Sequence, residues 1–422
     1  MAITKKTVKD IDISGKRVIM RVDFNVPIKD KVIQDDTRIQ AALPTIKYLL
    51  DKKAKSIVLM SHLGDPKKDM EKAKEKAQKS GAAFDETAYI EGQHKMAPIA
   101  AHLSKLLGKT VKQAPACMGD ETKKMVDALG AGEILLLENT RFHKEETAKE
   151  EADREKMAIE LAKYGDIYVN DAFGTAHRAH ASTETIARHL PAVAGFLMEK
   201  ELEFLEDKIV KNPAKPFVAI IGGAKVSSKI TVIEKLLEKV DKIIIGGGMA
   251  FTFFKAMGKK VGTSLCEDDQ LDVAKNTLAA AKNKGVEFIL QTDAIVAKAF
   301  SNDAEFKTVD VDHIPDDMMG LDIGPKSIDL FKKALAGAKT VFWNGPVGVF
   351  EMSNFAKGTI EIANTLANLK GAITVIGGGD SVSAVNKAGV ADKMTHISTG
   401  GGASMELVEG KILPGIAALS DK

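Results

Sequence analysis

Short, continuous apolar runs recur along the chain, and helix-like stretches fill the spaces between them. In the first half the runs are KRVIMRVDF (16–24), KSIVLM (55–60), EILLL (133–137) and DIYV (166–169). The second half repeats the plan with PFVAII (216–221), DKIIIG (241–246), VEFIL (286–290), TVFW (340–343), AITVIG (372–377) and a weaker THIS (395–398). Runs that do not alternate apolar with polar mark strands buried on both faces. Their alternation with helical segments predicts an α/β chain of two Rossmann-like, doubly wound parallel-sheet domains.

Ligands of such sheets bind beyond the carboxyl ends of the strands, so the residues that follow each run are where chemistry is expected. In the first half these are polar or cationic: Asp23 and Asn25, Ser61 and His62, Asn139 and Arg141, then Asn170, Asp171, His177 and Arg178. They have the character of side chains that read an anion. In the second half they are glycines: 222–223, 246–248, 345 and 348, 377–379 and 400–402. Those suit backbone cradles for phosphate. The segment HLPAVAGFLMEKELEFL (189–205) places a Pro and a Gly before a long amphipathic pattern and is expected to be a hinge helix, dividing domain 1–196 from domain 197–405. The lysine-, alanine- and glutamate-rich stretch 66–86 is expected to be an exposed helix on an extended loop, a solvated insertion without chemistry.

Composition narrows the functional classes. A chain of 422 residues exceeds the size at which one core keeps growing, which supports two domains of roughly 200 residues. A formal net charge of +2 gives no field for nucleic acid or a membrane surface. No run of 18 or more apolar residues exists and the start MAITKKTVKD has no apolar core of a signal peptide, so a cytoplasmic protein is expected. Cys117 and Cys266 lie in different halves and support neither a disulfide framework nor a thiolate metal site. Of 60 Lys and Arg only seven are Arg, at 17, 21, 38, 141, 154, 178 and 188, all in the first half. Arginine's planar fork holds carboxylate and phosphate bidentately, so arginines kept in so lysine-biased a chain are candidates for anion recognition.

The segment VIMRVDFNVP (18–27), followed in order by DDTRI, SHLG, LLLENTRFHKEE, NDAFGTAHRAHAS, IGGAKVSSKI, GGGMAFTF, MGLDIGP, VFWNGPVGVFE, VIGGGDS and STGGGASMELVEGK, resembles the phosphoglycerate kinases over essentially the whole chain. The resemblance implies phosphoryl transfer between ATP and the carboxylate of 3-phosphoglycerate, giving ADP and 1,3-bisphosphoglycerate, by a monomer that needs Mg²⁺ as MgATP or MgADP. It implies that Asp23, Asn25, Arg38, His62, Arg141 and Arg178 bind the phosphoglycerate. Arg141, Arg178 and His62 suit its phosphate, Asp23 and Asn25 its hydroxyl. Arg21, on the same side of its strand as Asp23, is either a support for that site or a buried arginine paired to a carboxylate. The catalytic set would be Arg38, Lys225, Gly379 and Gly402, with Arg38 and Lys225 reaching the transferring phosphoryl from opposite domains. No base is required, because the attacking group is already a carboxylate.

On the nucleotide side the resemblance implies Gly223, Ala224, Lys225 and Lys229; the two lysines, four apart, are expected at the opening of a helix, where both could face the phosphates. It adds Gly247, Gly248, Gly320, Leu321, Asn344, Pro346, Gly348, Val349 and Glu351 for the adenosine, Glu351 on the ribose. Gly378, Gly379 and Ser381 serve phosphate oxygens, and Asp380 holds the metal. The tail from 406 is expected to return to the first domain. One departure stands out: the family pattern after SHLG continues with arginine, and here Asp65 takes that place, which implies altered affinity near the substrate phosphate.

Other classes fit less well. No GxxxxGK(S/T) is present, nor the protein-kinase set. A nicotinamide-dependent dehydrogenase lacks its GxGxxG and following acid. A noncatalytic scaffold would have no reason to keep Arg38, Lys225, Lys229 and Asp380 together.

Overall fold

A computed structural model describes residues 4–422. The chain forms two compact units, one running to Leu202 and taking in Ile412–Lys422, the other Glu203–Lys411. The first division lies later than the 196 expected from sequence. The helix Phe196–Glu201 precedes it, and the chain continues as a wider π-type winding over Leu202–Lys211.

The strands of the first unit are β1 (Arg17–Val22), β2 (Ile28–Lys29), β3 (Val32–Ile33), β4 (Ser56–Met60), β5 (Val111–Gln113), β6 (Glu133–Leu136), β7 (Ile167–Asp171) and β8 (Ala192–Ala194). Six of them make one sheet in the order β5-β6-β4-β1-β7-β8, parallel at every pairing, while β2 and β3 form a separate hairpin. From β1 the chain builds outward on one side through β4 and later on the other through β7. The carboxyl end of β1 is therefore the point where strand order reverses, the usual place for a ligand crevice. Register aligns Arg21 with Met60 and Asn170, so the loops after the three strands open at one edge. Helix Thr37–Asp51 buries Ile39, Ala42, Ile46 and Leu49, spaced three and four apart, against this sheet. Helix Pro66–Ser80 buries only Pro66, as its composition predicts; Asp65 caps its start and Gly81, in the left-handed region at φ 69°, ends it.

The second unit contains β9 (Phe217–Ile221), β10 (Lys242–Ile245), β11 (Glu287–Leu290), β12 (Asp293–Ala297), β13 (Phe306–Asp310), β14 (Met319–Ile323), β15 (Thr340–Asn344), β16 (Ile373–Gly377) and β17 (His396–Ile397). Its main sheet is again six-stranded and parallel, in the order β11-β10-β9-β15-β16-β17, with the reversal between β9 and β15. A three-stranded antiparallel sheet, β13-β12-β14, was not expected. Its edge strand β13 is mostly exposed and so carries no apolar run to announce it.

Residues 412–422 pack on the first unit. Lys6 N–H donates to Ser420 O (2.8 Å), Ser420 N–H to Ala192 O (2.9 Å) and the Asn170 side-chain amide to Gly415 O (3.2 Å). No helix among the described residues is long and apolar enough to cross a membrane.

Candidate active site

In the first unit the residues beyond β1, β4 and β6 converge. Arg38, in the first turn of its helix, donates through Nη1 to Asp23 Oδ2 (3.0 Å) and Asn25 O (3.3 Å). Asn25 Oδ1 accepts from Gly64 N–H (2.8 Å), and Arg141 Nη1 donates to Gly64 O (2.8 Å). One glycine thus links the loops after β1, β4 and β6. Gly64 sits at φ +62°, and a Cβ there would lie 2.7 Å from the His94 ring, so the crossing is built for glycine. Asn139 holds the same loop from below, accepting from Leu63 N–H and Arg141 N–H (both 3.1 Å) and donating to Leu63 O (2.7 Å). The Arg141 Nε is buried without a partner, a donor left over for an acceptor from outside. Arg178 is exposed, its Nε directed at His177 Nε2 (2.9 Å).

The seven arginines separate by duty. Arg17 pairs with Asp166 at 2.7 Å at the far end of β1, Arg154 donates to the carbonyls of Ala148 and Lys149, and Arg188 pairs with Glu151 and Glu184. Arg21 resolves as a buried, paired arginine that also supports the site. It donates through Nε to Ser182 Oγ (2.8 Å), faces Glu146 Oε1 at 4.0 Å and approaches His62 Nδ1 at 3.3 Å through Nη2. Only Arg38, Arg141 and Arg178 remain directed to the strand-end region, the three that the resemblance assigns to phosphoglycerate.

Burial and these cations set the histidines. Burial, then Arg21, Arg141 and Arg38, hold His62 well below the ordinary imidazole range, and burial with Arg21, Arg141 and Arg178 pushes His180 down to about 3. Both rings are neutral at physiological pH. His62 can therefore offer a phosphate a hydrogen bond but no charge, which leaves charge recognition to arginine.

In the second unit the glycine turns enclose a cavity of about 550 Å³ beyond β9, β10 and β15. That volume suits a nucleotide-sized ligand. Of the residues the resemblance assigns to the nucleotide, Gly223, Ala224, Gly247, Gly248, Gly320, Leu321, Pro346, Gly348, Val349, Glu351 and Asp380 line it. Phe251, Leu265, Phe300, Met319 and Met352 also line it and were missed. They make the wall apolar and aromatic, fit for a heterocyclic base. Phe251 and Met319 stand inside motifs from which the resemblance assigns only Gly247 and Gly248, and Gly320 and Leu321, to the site. Close approach explains those glycines: a Cβ on Gly222 would lie 2.1 Å from Pro346 O, and one on Gly320 1.9 Å from the Phe251 ring.

Lys225, Lys229, Asn344, Gly378, Gly379, Ser381 and Gly402 do not line this cavity. The Lys229 ammonium hydrogen-bonds Asn344 Oδ1, and Asn344 Nδ2 is buried without a partner beside Gly378. Ser381 Oγ is taken by Gly345 N–H (2.6 Å), so this hydroxyl braces the turn after β15. Gly378, at φ +87°, leads into helix Gly379–Lys387, whose first turn carries Asp380, and Gly402 opens helix Gly402–Val408. One expectation is corrected. Lys225 and Lys229 do not open a helix together, because helix Ile230–Leu236 begins after both. The intervening serines bind elsewhere: Ser227 donates through N–H and Oγ to Glu267 (3.0 and 2.6 Å) and Ser228 Oγ to Lys225 O (2.9 Å), which draws the backbone into turns. Lys225 is left exposed and Lys229 half-buried, its ammonium pKa lowered by burial.

The model of the family described as phosphoglycerate kinase matches residues 8–411. The chain belongs to the phosphoglycerate kinase family. It is 57% identical to the chloroplastic phosphoglycerate kinase of Volvox carteri, covering 99% of this chain and 87% of that one. With the phosphoglycerate kinase of Rippkaea orientalis it shares 55% identity over 99% of this chain and 100% of the relative. Among solved structures, that of phosphoglycerate kinase from Coxiella burnetii superposes with a TM-score of 0.83 at 37% identity, and that from Pyrococcus horikoshii with 0.78 at 32%, each covering 98% of both chains. Phosphoglycerate kinase membership thus agrees with the two six-stranded parallel sheets.

Proposed function

We propose that this chain catalyses reversible, Mg²⁺-dependent phosphoryl transfer between ATP and the carboxylate of 3-phosphoglycerate, using Arg38, Arg141 and Arg178 on one side and the glycine-lined cavity on the other. The observation that carries this reading is the division of labour among the arginines: the four others are spent on structural pairing, and these three stand beyond the strand ends of one sheet. Arg141 and Arg178 take the substrate phosphate with His62 as a neutral partner, and Asp23 and Asn25 take its hydroxyl. In the second unit the apolar wall receives the base, Glu351 the ribose, and the backbone N–H groups after β16 with Lys229 the phosphates.

Asp322, Glu351 and Asp380 line the cavity; Asp322 is buried and accepts from the Gly358 and Ile323 N–H groups, which leaves Asp380, in the first turn of helix Gly379–Lys387, as the carboxylate for a metal, and no group of three or more His, Cys, Asp or Glu is clustered among the described residues. That donor set fits Mg²⁺, which characteristically binds one or two carboxylates and completes its shell with phosphates and water. The ion when bound neutralises charge between the phosphates. Arg38 and Lys225 stabilise the equatorial oxygens of the group in flight, with backbone N–H groups of Gly379 and Gly402. Because the two ligands occupy different units, direct transfer requires the units to bring them together, so closure is part of turnover. Family resemblance supports a monomeric enzyme.

The test is a coupled assay with 3-phosphoglycerate, MgATP and an acyl-phosphate reporter. Folded protein should turn over, and Arg38→Ala should lower kcat by about a hundredfold or more. Zero turnover by folded wild type refutes the reading, and an unchanged kcat in the variant refutes the role of Arg38.

A further inference from the structure

We infer that Asp65 sets the affinity of the phosphoglycerate half-site by competing with the anionic substrate for Arg141. The inference rests on the reading of Arg141 as a substrate-phosphate ligand. Asp65 Oδ2 lies 3.9 Å from Arg141 Nη1, with the acid about half exposed and the guanidinium about one quarter. Arg141 is fixed along one edge by Gly64 O while its buried Nε keeps an unmet proton, so it is stationed to receive an acceptor.

The acid beside it is no wandering surface side chain. Asp65 Oδ1 accepts from Lys68 N–H (3.3 Å) and its backbone N–H donates to Asp69 Oδ2 (2.8 Å), which pins it as the cap of helix Pro66–Ser80. A capping acid followed by Pro66 explains why this position is acidic at the entry to the inserted helix. The cap also stations a negative charge beside Arg141, and an anion arriving there meets that charge. An opposite charge on a half-exposed pair at this range changes affinity by roughly threefold to tenfold.

Asp65→Asn separates the two roles, since Asn caps a helix as well as Asp and carries no charge. The variant should keep the wild-type melting temperature and show a KM for 3-phosphoglycerate roughly threefold to tenfold lower. Its KM for MgATP, bound by the other unit, should not move. The difference should shrink as salt is raised, because the competing charge is partly exposed. Asp65→Ser, a second neutral cap, provides the same readout if the Asn variant folds poorly. A KM for 3-phosphoglycerate that is unchanged or raised, or lowered by an amount indifferent to salt, overturns the inference while leaving the kinase reading intact. Absence of turnover by folded wild type overturns the kinase reading, and this inference with it.

Discussion

Replacing Glu146 with Ala is expected to be among the most damaging single changes to the first unit. Arg21 and Glu146 are fully buried, 125 positions apart, and joined through Ser182. Ser182 Oγ donates to Glu146 Oε1 (2.6 Å) and its N–H to Oε2 (2.9 Å), while Arg21 Nε donates to that same Oγ (2.8 Å). Truncation removes the counter-charge and both acceptors, and the guanidinium cannot shed its proton. Breaking a buried pair by deleting one partner costs about 3–5 kcal/mol. In a unit of this size each kcal/mol lowers the midpoint by about 2–4 °C, so the fall should be roughly 6–20 °C. Calorimetry or far-ultraviolet circular dichroism follows the loss. Fluorescence of Trp343, the only tryptophan and a resident of β15, reports the second unit separately. KM for 3-phosphoglycerate should rise as well, since Arg21 Nη2 lies 3.3 Å from the His62 ring. Replacing both members with apolar residues, Arg21→Met with Glu146→Leu, should recover most of the stability. A destabilisation below about 1 kcal/mol in Glu146→Ala would refute the assignment of Glu146 as the counter-charge that Arg21 requires.

Gly222→Ala should cost about 1–3 kcal/mol and raise KM for MgATP, because the new methyl meets backbone oxygens of Gly345 and Pro346 and moves the cavity wall; an unaltered melt and KM would count against that packing. Burial raises the Asp171 carboxyl to about 7 from the ordinary 3.8. Between those values the folded chain holds a proton that the unfolded chain releases, so this residue's contribution is full at low pH and is lost as pH rises through about 7. The stability difference between wild type and Asp171→Asn should accordingly fall across that window in denaturant titrations, and a flat or rising difference would contradict the buried, protonated state.

The two parallel sheets were legible because each central strand is buried on both faces and so carries an unbroken apolar run. Several strands that escaped notice lack that property: β5 and β8 have three residues each, β8 reading only Ala-Val-Ala, and β13 is an exposed edge, whereas β12, Asp-Ala-Ile-Val-Ala, is buried along most of its length and was passed over despite its apolar run. At the sites, residues directly after strands could be placed because sheet topology brings strand ends together whatever the intervening distance. Partnerships made across the fold could not. Nothing in the local sequence links Arg21 to Glu146, or Asn25 and Arg141 through Gly64. The position of Asp65 was visible as a departure from family pattern, while its use as a helix cap became visible only with the helix it begins. Serine chemistry misled the reading of Lys225 and Lys229, where spacing suggested a helix and side-chain hydrogen bonds imposed turns.

The return of residues 412–422 to the first unit has a consequence for synthesis on the ribosome. The second unit is one continuous stretch, Glu203–Lys411, and can fold when its own translation ends. The first unit has its sheet strands early but waits for the segment that receives Lys6 and caps the β8 edge. At about 5–20 residues per second, the intervening stretch imposes a delay on the order of ten to forty seconds. During that interval the nascent first unit presents an unfinished edge to its surroundings, so a chaperone that shields strand edges would have its longest opportunity on the half of the protein made first.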